Sequence, residues 1–182
     1  MEKTRQGRPA PKRLLVVRAL PTNQSRAIVQ FGPLRLQAAI GKTGRTSRKR
    51  EGDGGTPIAS MRLLGGFFRS ERRRAVKSGL ALKPIDKKMV WCDAPADPNY
   101  NRLVRGQLRS SHEDMKREDR LYDICLVMDW NMTKRVRHCG SAIFFHLIRP
   151  GYEPTAGCVA IDARDMIRIL PFLNRHTVVR VT

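Results

Sequence analysis

Aromatic residues are scarce in this chain: Trp, Tyr and Phe make up 6% of 182 residues. A protein that binds nucleic acid by stacking bases on aromatic platforms is poorly served by that supply. The core must rest mainly on Val, Ile, Leu, Met and Ala. Acidic residues are nearly missing from the first fifty positions, where Glu2 is the only one. No apolar run has the roughly 20 residues that a membrane-spanning helix needs. Leu14-Leu15-Val16-Val17 falls short of the roughly 7–15 residues of a secretory h-region, and no Ala-x-Ala cleavage site follows it. The cysteines, Cys92, Cys125, Cys139 and Cys158, form no Cys-x-x-Cys pair and no disulfide framework of a small secreted domain. His138, Cys139, His146 and Cys158 have the residue types of a zinc site without its spacing. We therefore expect no metal and no cofactor.

What is abundant is positive charge, a formal net +20. Such an excess calls for an anionic partner or environment. It lies in the N-terminal third and in a cluster from Arg69 to Lys77, and acids are well represented beyond Arg74. Nucleic acid, acidic glycans, carboxylate-rich peptidoglycan stems and anionic membrane surfaces all suit it. No helix-turn-helix, zinc-finger or RNA-recognition signature is present, so nucleic acid is not the expected partner, and a basic nucleic-acid-binding protein stays as an alternative.

The length suits one domain. Residues 1–12 read as a flexible basic tail with Pro9 and Pro11, ahead of a single domain over 13–182. Strands are expected at Leu14–Val17, Ala27–Phe31, Leu34–Ala38, Met61–Leu64, Leu121–Met128, Ser141–Ile148, Val159–Ile161 and Val178–Val181, from apolar alternation or short continuous apolar runs. Residues 41–57 form a shaped loop ending in Gly54-Gly55-Thr56-Pro57. Residues 69–88 read as irregular, and 91–102 as turns. Asp162 is a good N-cap, Asp165 adds an acid to the first turn, and Met166, Ile167, Ile169 and Leu170 give one apolar face, with Pro171 closing the helix. The fold class is mainly β, a curved sheet or sandwich with one or two short helices.

The candidate chemistry lies at Cys158, between Gly157 and an apolar strand. A thiol is mostly protonated at neutral pH and needs a base beside it. His146 lies 12 positions earlier, at the end of an apolar strand. Two antiparallel segments joined by 149–155 would bring the pair together. Consecutive backbone N–H groups at Gly157 and Cys158 are candidate donors to an oxyanion. A satisfied core histidine and a small buried cysteine are the plain readings of the same residues.

The stretch Gly140-Ser-Ala-Ile-Phe-Phe-His146, followed by Pro154-Thr155-Ala156-Gly157-Cys158-Val159, resembles the catalytic strand and loop of the YkuD-type L,D-transpeptidases. Arg50-Glu51-Gly52-Asp53-Gly54-Gly55-Thr56-Pro57 is similar to that family's earlier Thr-Pro loop. Trp91-Cys92-Asp93, Asp97-Pro98-Asn99-Tyr100-Asn101 and Ser111-His112-Glu113 are similar to a compact proteobacterial branch. The chain departs from the family pattern at Ala156, where a second histidine is usual, at Ala160, and in a short gap from His146 to Thr155. The resemblance implies a cysteine nucleophile at Cys158, a base at His146, and an oxyanion loop of Thr155, Ala156 and Gly157. Tyr152, Trp91, His112 and Arg149 are candidates for substrate contact. It also implies diaminopimelate-containing stem peptides as partner, 3-3 or 1-3 cross-links as product, carbapenem sensitivity and a periplasmic location. An L,D-carboxypeptidase or endopeptidase of the same fold is the alternative. The basic cluster of Arg69, Arg72, Arg73 and Arg74 is expected near the path of the anionic polymer.

Overall fold

Short apolar runs and, at Leu34–Ala38, apolar–polar alternation set the first strands. The computed structural model describes residues 13–73 and 76–182, so the basic tail at 1–12 lies outside the described residues. Strands β1 (Leu14–Leu20), β2 (Asn23–Phe31) and β3 (Leu34–Ala39) form an antiparallel meander. Leu15, Val17, Ala27, Val29, Leu36 and Ala38 all turn to one buried face, as a period of two requires.

Two short strands, β4 (Arg45–Thr46) and β5 (Thr56–Pro57), close the base of the glycine-rich loop. Strand β6 (Ser60–Phe68) is longer than its Met61–Leu64 apolar signal and serves several partners. Next come β7 (Leu82–Pro84), β8 (Met89–Cys92), β9 (Arg102–Arg105), β10 (His112–Asp114), β11 (Ile124–Met128), β12 (Phe144–Leu147), β13 (Val159–Ile161) and β14 (Val178–Val181). The segments expected to be irregular or turn-like thus contain β7 and overlap the end of β8 and the first residue of β9. Strand β11 begins later than expected, because residues 121 and 122 lie in a turn.

The main sheet runs β11-β12-β13-β3-β2-β1-β14-β6-β7, and β6 also pairs with β11. The curved sheet therefore closes on itself as a ring. Closure depends on β6, whose Ser60–Arg62 pair with β14 while its later residues pair with β11 across a register shift at Val127/Met128. Gly66 permits the close approach, since a Cβ there would lie 2.3 Å from the Cys125 carbonyl oxygen. A bulge and a glycine are the usual means of bending a strand into closure.

Inside the ring lies a core of aliphatic side chains with Phe145, capped at one end by α1 (Ala163–Ile169). The helix begins as expected: the Asp162 carboxylate accepts the Arg164 N–H at 2.8 Å. Met166 and Ile169 are buried, whereas Ile167 faces solvent. Pro171 lies in a following 3-10 turn over Leu170–Phe172. Outside the ring, the small sheet β10-β8-β9 packs on β11 and β12 through a second cluster of Phe67, Met89, Trp91, Tyr122, Phe144 and Cys158 with their neighbours.

Candidate active site

Strands β11 and β12 are buried along their whole length because both of their faces are covered, and His146 is their one polar side chain. On β12, Phe145 and Leu147 point into the ring, while Phe144 joins the outer cluster. The period of two then puts His146 on the outer face with Phe144. On β13, Val159 and Ile161 point inward, so Cys158 and Ala160 face outward beside them.

Strands β12 and β13 run parallel, with His146 opposite Ala160, rather than as the antiparallel pair expected from the sequence. The connection from Ile148 to Cys158 crosses over and returns to the same end. Cys158 therefore arrives level with Phe144, whose N–H donates to Sγ at 3.2 Å. The thiol donates to the Ala142 carbonyl oxygen, also at 3.2 Å. Ala142 presents that carbonyl from a left-handed backbone, φ 51°. Its own N–H is held by Asn101 Oδ1 at 3.1 Å.

His146 Nδ1 lies 2.7 Å from the Leu147 carbonyl oxygen. A carbonyl can only accept, so Nδ1 carries the proton and Nε2 keeps the free lone pair. The Tyr122 ring stands edge-on to the imidazole at 5.4 Å. Burial depresses the His146 pKa to about 4 and pushes the Cys158 thiol up to about 12, with the Glu113 charge acting in the same direction on the thiol. The resting pair is thus neutral imidazole and thiol.

Both side chains line one cavity of about 490 Å³, with Glu113, Arg117, Tyr122 and Lys49 among the other walls. Thr155, Ala156 and Arg149 also line it. Thr155 clamps the nucleophile loop: its Oγ1 donates to the Cys158 carbonyl at 2.7 Å and accepts the Gly157 N–H at 3.1 Å. The Gly157 N–H is thereby engaged. Gly157 is required for another reason: with φ 137°, a Cβ there would lie 2.9 Å from the Gly55 carbonyl oxygen. The Thr-Pro loop is fastened to the same place, since Thr56 Oγ1 accepts the Gly41 N–H at 2.8 Å and donates to the Cys158 carbonyl at 3.3 Å.

Three expected contact residues lie elsewhere. Trp91 is buried beneath the site, edge-on to Phe144 at 5.0 Å, with its N–H on Asn101 Oδ1. Tyr152 lies under the Arg26 guanidinium, 4.4 Å from the ring centre. His112 is exposed on β10 and held by the Ser110 carbonyl at 2.7 Å, because alternation turns its neighbour Glu113 toward the cavity instead. Arg69 and Arg72 are consumed internally, by Glu71 at 2.7 Å and Asp123 at 2.9 Å, so they do not line the cavity. Arg74 lies outside the described residues. Arg117, Tyr122 and Lys49 had no signal in sequence beyond their residue types, and Glu113 had only its place in the Ser111-His112-Glu113 stretch. Cys125 stands opposite His146 across the β11–β12 ladder, but it is sealed from solvent and outside the cavity wall.

Residues 13–181 match the family model described as YkuD, L,D-transpeptidase catalytic domain. The chain belongs to the YkuD family of L,D-transpeptidase catalytic domains. Among solved structures, it is similar to L,D-transpeptidase 1 of Mycobacterium tuberculosis, at 10% identity and a TM-score of 0.39. That likeness covers 93% of this chain and 62% of the other, so the L,D-transpeptidase domain spans less than two thirds of that protein. No match was found among curated proteins. Among its described residues, the L,D-transpeptidase domain has no helix long and apolar enough to cross a membrane.

Proposed function

We propose that this domain is a peptidoglycan L,D-transpeptidase that works through a thioester on Cys158, with His146 as general base. The observation that carries the reading is the fixed tautomer of His146 on the same strand face and in the same cavity as the Cys158 thiol. As a stem peptide enters, His146 Nε2 takes the thiol proton while Sγ attacks the peptide carbonyl carbon. With the Gly157 N–H engaged, the Cys158 N–H is the backbone donor we assign to the oxyanion. The carbon–nitrogen bond breaks, and His146 returns the proton to the departing amine. An amine of a second stem then attacks the thioester, giving a 3-3 or 1-3 cross-link and releasing the thiol. Diaminopimelate-containing stems in the periplasm are the substrate and place that the family chemistry favours. Their carboxylates suit a chain of net charge +20.

Intact mass after incubation with a carbapenem tests the nucleophile. A single adduct is expected on the wild type and none on Cys158→Ala. Mass analysis of products from purified muropeptides then identifies the bond made. Cross-linked dimers support the transpeptidase, and cleaved monomers alone support the carboxypeptidase or endopeptidase. A folded wild type that gains no adduct and alters no muropeptide would sink the reading.

A further inference from the structure

Two partners must visit a transpeptidase in turn, an acyl donor and an amine, and the cavity that holds the thiol carries the acids Glu113 and Asp93 among its walls, beside the cations Lys49 and Arg117. Glu113 on β10 lines the cavity with its side chain 29% exposed. Its Oε1 accepts the Tyr122 hydroxyl at 2.7 Å and the Arg117 guanidinium at 3.0 Å. Among the described residues, Oε2 accepts no hydrogen bond. Asp93, just beyond β8 and tied to the neighbouring strand through Ser111, lines the same cavity. Its Oδ1 is buried and has no hydrogen-bond partner among the described residues. A buried carboxylate oxygen without a donor is costly unless a ligand supplies one.

The geometry points to Glu113 and Asp93 as the receiving site for the acceptor ammonium, with Glu113 as the base that frees the amine for attack. The inference rests on the transpeptidase reading and extends it to the second half of the reaction. An ammonium offers three donors; the free Glu113 Oε2 is a ready acceptor for one of them, and Asp93 adds a second negative charge close enough to act on Glu113. Glu113 takes one proton, leaving a neutral amine and a carboxylic acid. The amine nitrogen attacks the thioester carbon, the carbon–nitrogen bond forms, and the carbon–sulfur bond breaks. His146 Nε2 takes the second nitrogen proton and passes it to the departing thiolate, while Glu113 returns its proton to solvent. Burial and the Asp93 and Asp119 charges raise the Glu113 pKa, which suits it to accept a proton. The Glu113 charge raises the thiol pKa, so its neutralisation by the transferred proton also stabilises the departing thiolate.

This gives the two half-reactions unequal responses to one substitution. Glu113→Gln keeps an oxygen for Tyr122 and Arg117, so the wall remains in place. With the full chain, acylation by a carbapenem is followed by intact mass, and the ratio of cross-linked dimer to hydrolysed monomer is read from purified muropeptides. In Glu113→Gln, we expect acylation to be no slower than in the wild type and the dimer-to-hydrolysis ratio to fall about tenfold or more. Asp93→Asn is expected to raise the muropeptide concentration needed for half-maximal cross-linking. An unchanged dimer-to-hydrolysis ratio in folded Glu113→Gln overturns the proposal. So does a proportional loss of acylation and cross-linking, which would mark a structural role. A wild type that acylates yet only hydrolyses also overturns it, whereas a wild type that never acylates overturns the transpeptidase reading itself.

Discussion

Strand β12 separates two regions of contrasting chemistry. On its inner face, Phe145 and Leu147 meet Val, Leu, Ile, Ala and Met side chains that carry no titratable group. On its outer face, Phe144 and His146 meet Tyr122, Trp91, Cys125 and Cys158, each apolar in bulk with one polar or reactive atom. The inner region needs only volume and hydrophobicity, and many aliphatic sequences would supply both. The outer region must pack and also aim particular atoms, so the Tyr122 hydroxyl, the Trp91 N–H, the Cys158 thiol and His146 Nδ1 are each tied to backbone or to a neighbour, while His146 Nε2 stays free. Asn101 shows how this is done. Its Oδ1 accepts from Trp91 and Ala142, and its Nδ2 donates to the carbonyls of Trp130 and Asn131, so one side chain sets the loop that holds the thiol.

The sharpest break in this contrast is at His146. Replacing it with Gln removes the base, and the carbapenem acylation rate is expected to fall by roughly 10²–10⁴-fold while the fold persists. In the wild type, the acid limb of that rate is expected near pH 4, well below the ordinary 6.5 of histidine. A limb at 6.5 would show that the imidazole is not held as described. On the inner face, Phe145→Ala is expected to cost about 3–5 kcal/mol of stability, measured by urea unfolding. The acylation rate of the fraction that remains folded should change little. Equal loss of rate and stability would erase the distinction between the two faces.

The smallest effect is the pH dependence of stability. Between about pH 6.5 and 4, the unfolded chain binds a proton at His146 that the folded chain refuses, so stability falls as pH falls through that window. The loss due to this group amounts to about 3 kcal/mol. It should appear in the difference between wild type and His146→Gln, because the variant lacks the titrating group. A wild type and variant with parallel pH–stability curves would refute it.

Much of the framework is legible from the residues. Short apolar runs mark β1, β2 and β14, alternation marks β3, and Asp162 starts the helix where a capping carboxylate is needed. Ile167 was misplaced because a seven-residue helix leaves little room for a wide apolar stripe. The short strands β7, β8 and β9 carried no period long enough to detect, and their pairing comes from neighbours distant in sequence. Cys158 and His146 stood out through residue type and motif, whereas Tyr122 is an ordinary residue, and Glu113 only the neighbour of the favoured His112, until the small sheet folds over β11.

The amino-acid sequence by itself determined a mainly β chain, a strongly basic surface and two residues able to form a nucleophile–base pair. Only the tertiary structure decided that β12 and β13 run parallel, that the sheet closes through β6, and that Glu113 rather than His112 faces the thiol. The reason is physical. Local pattern sets which residues alternate and where a turn is cheap, but strand direction and register are set by contacts among segments far apart in the chain.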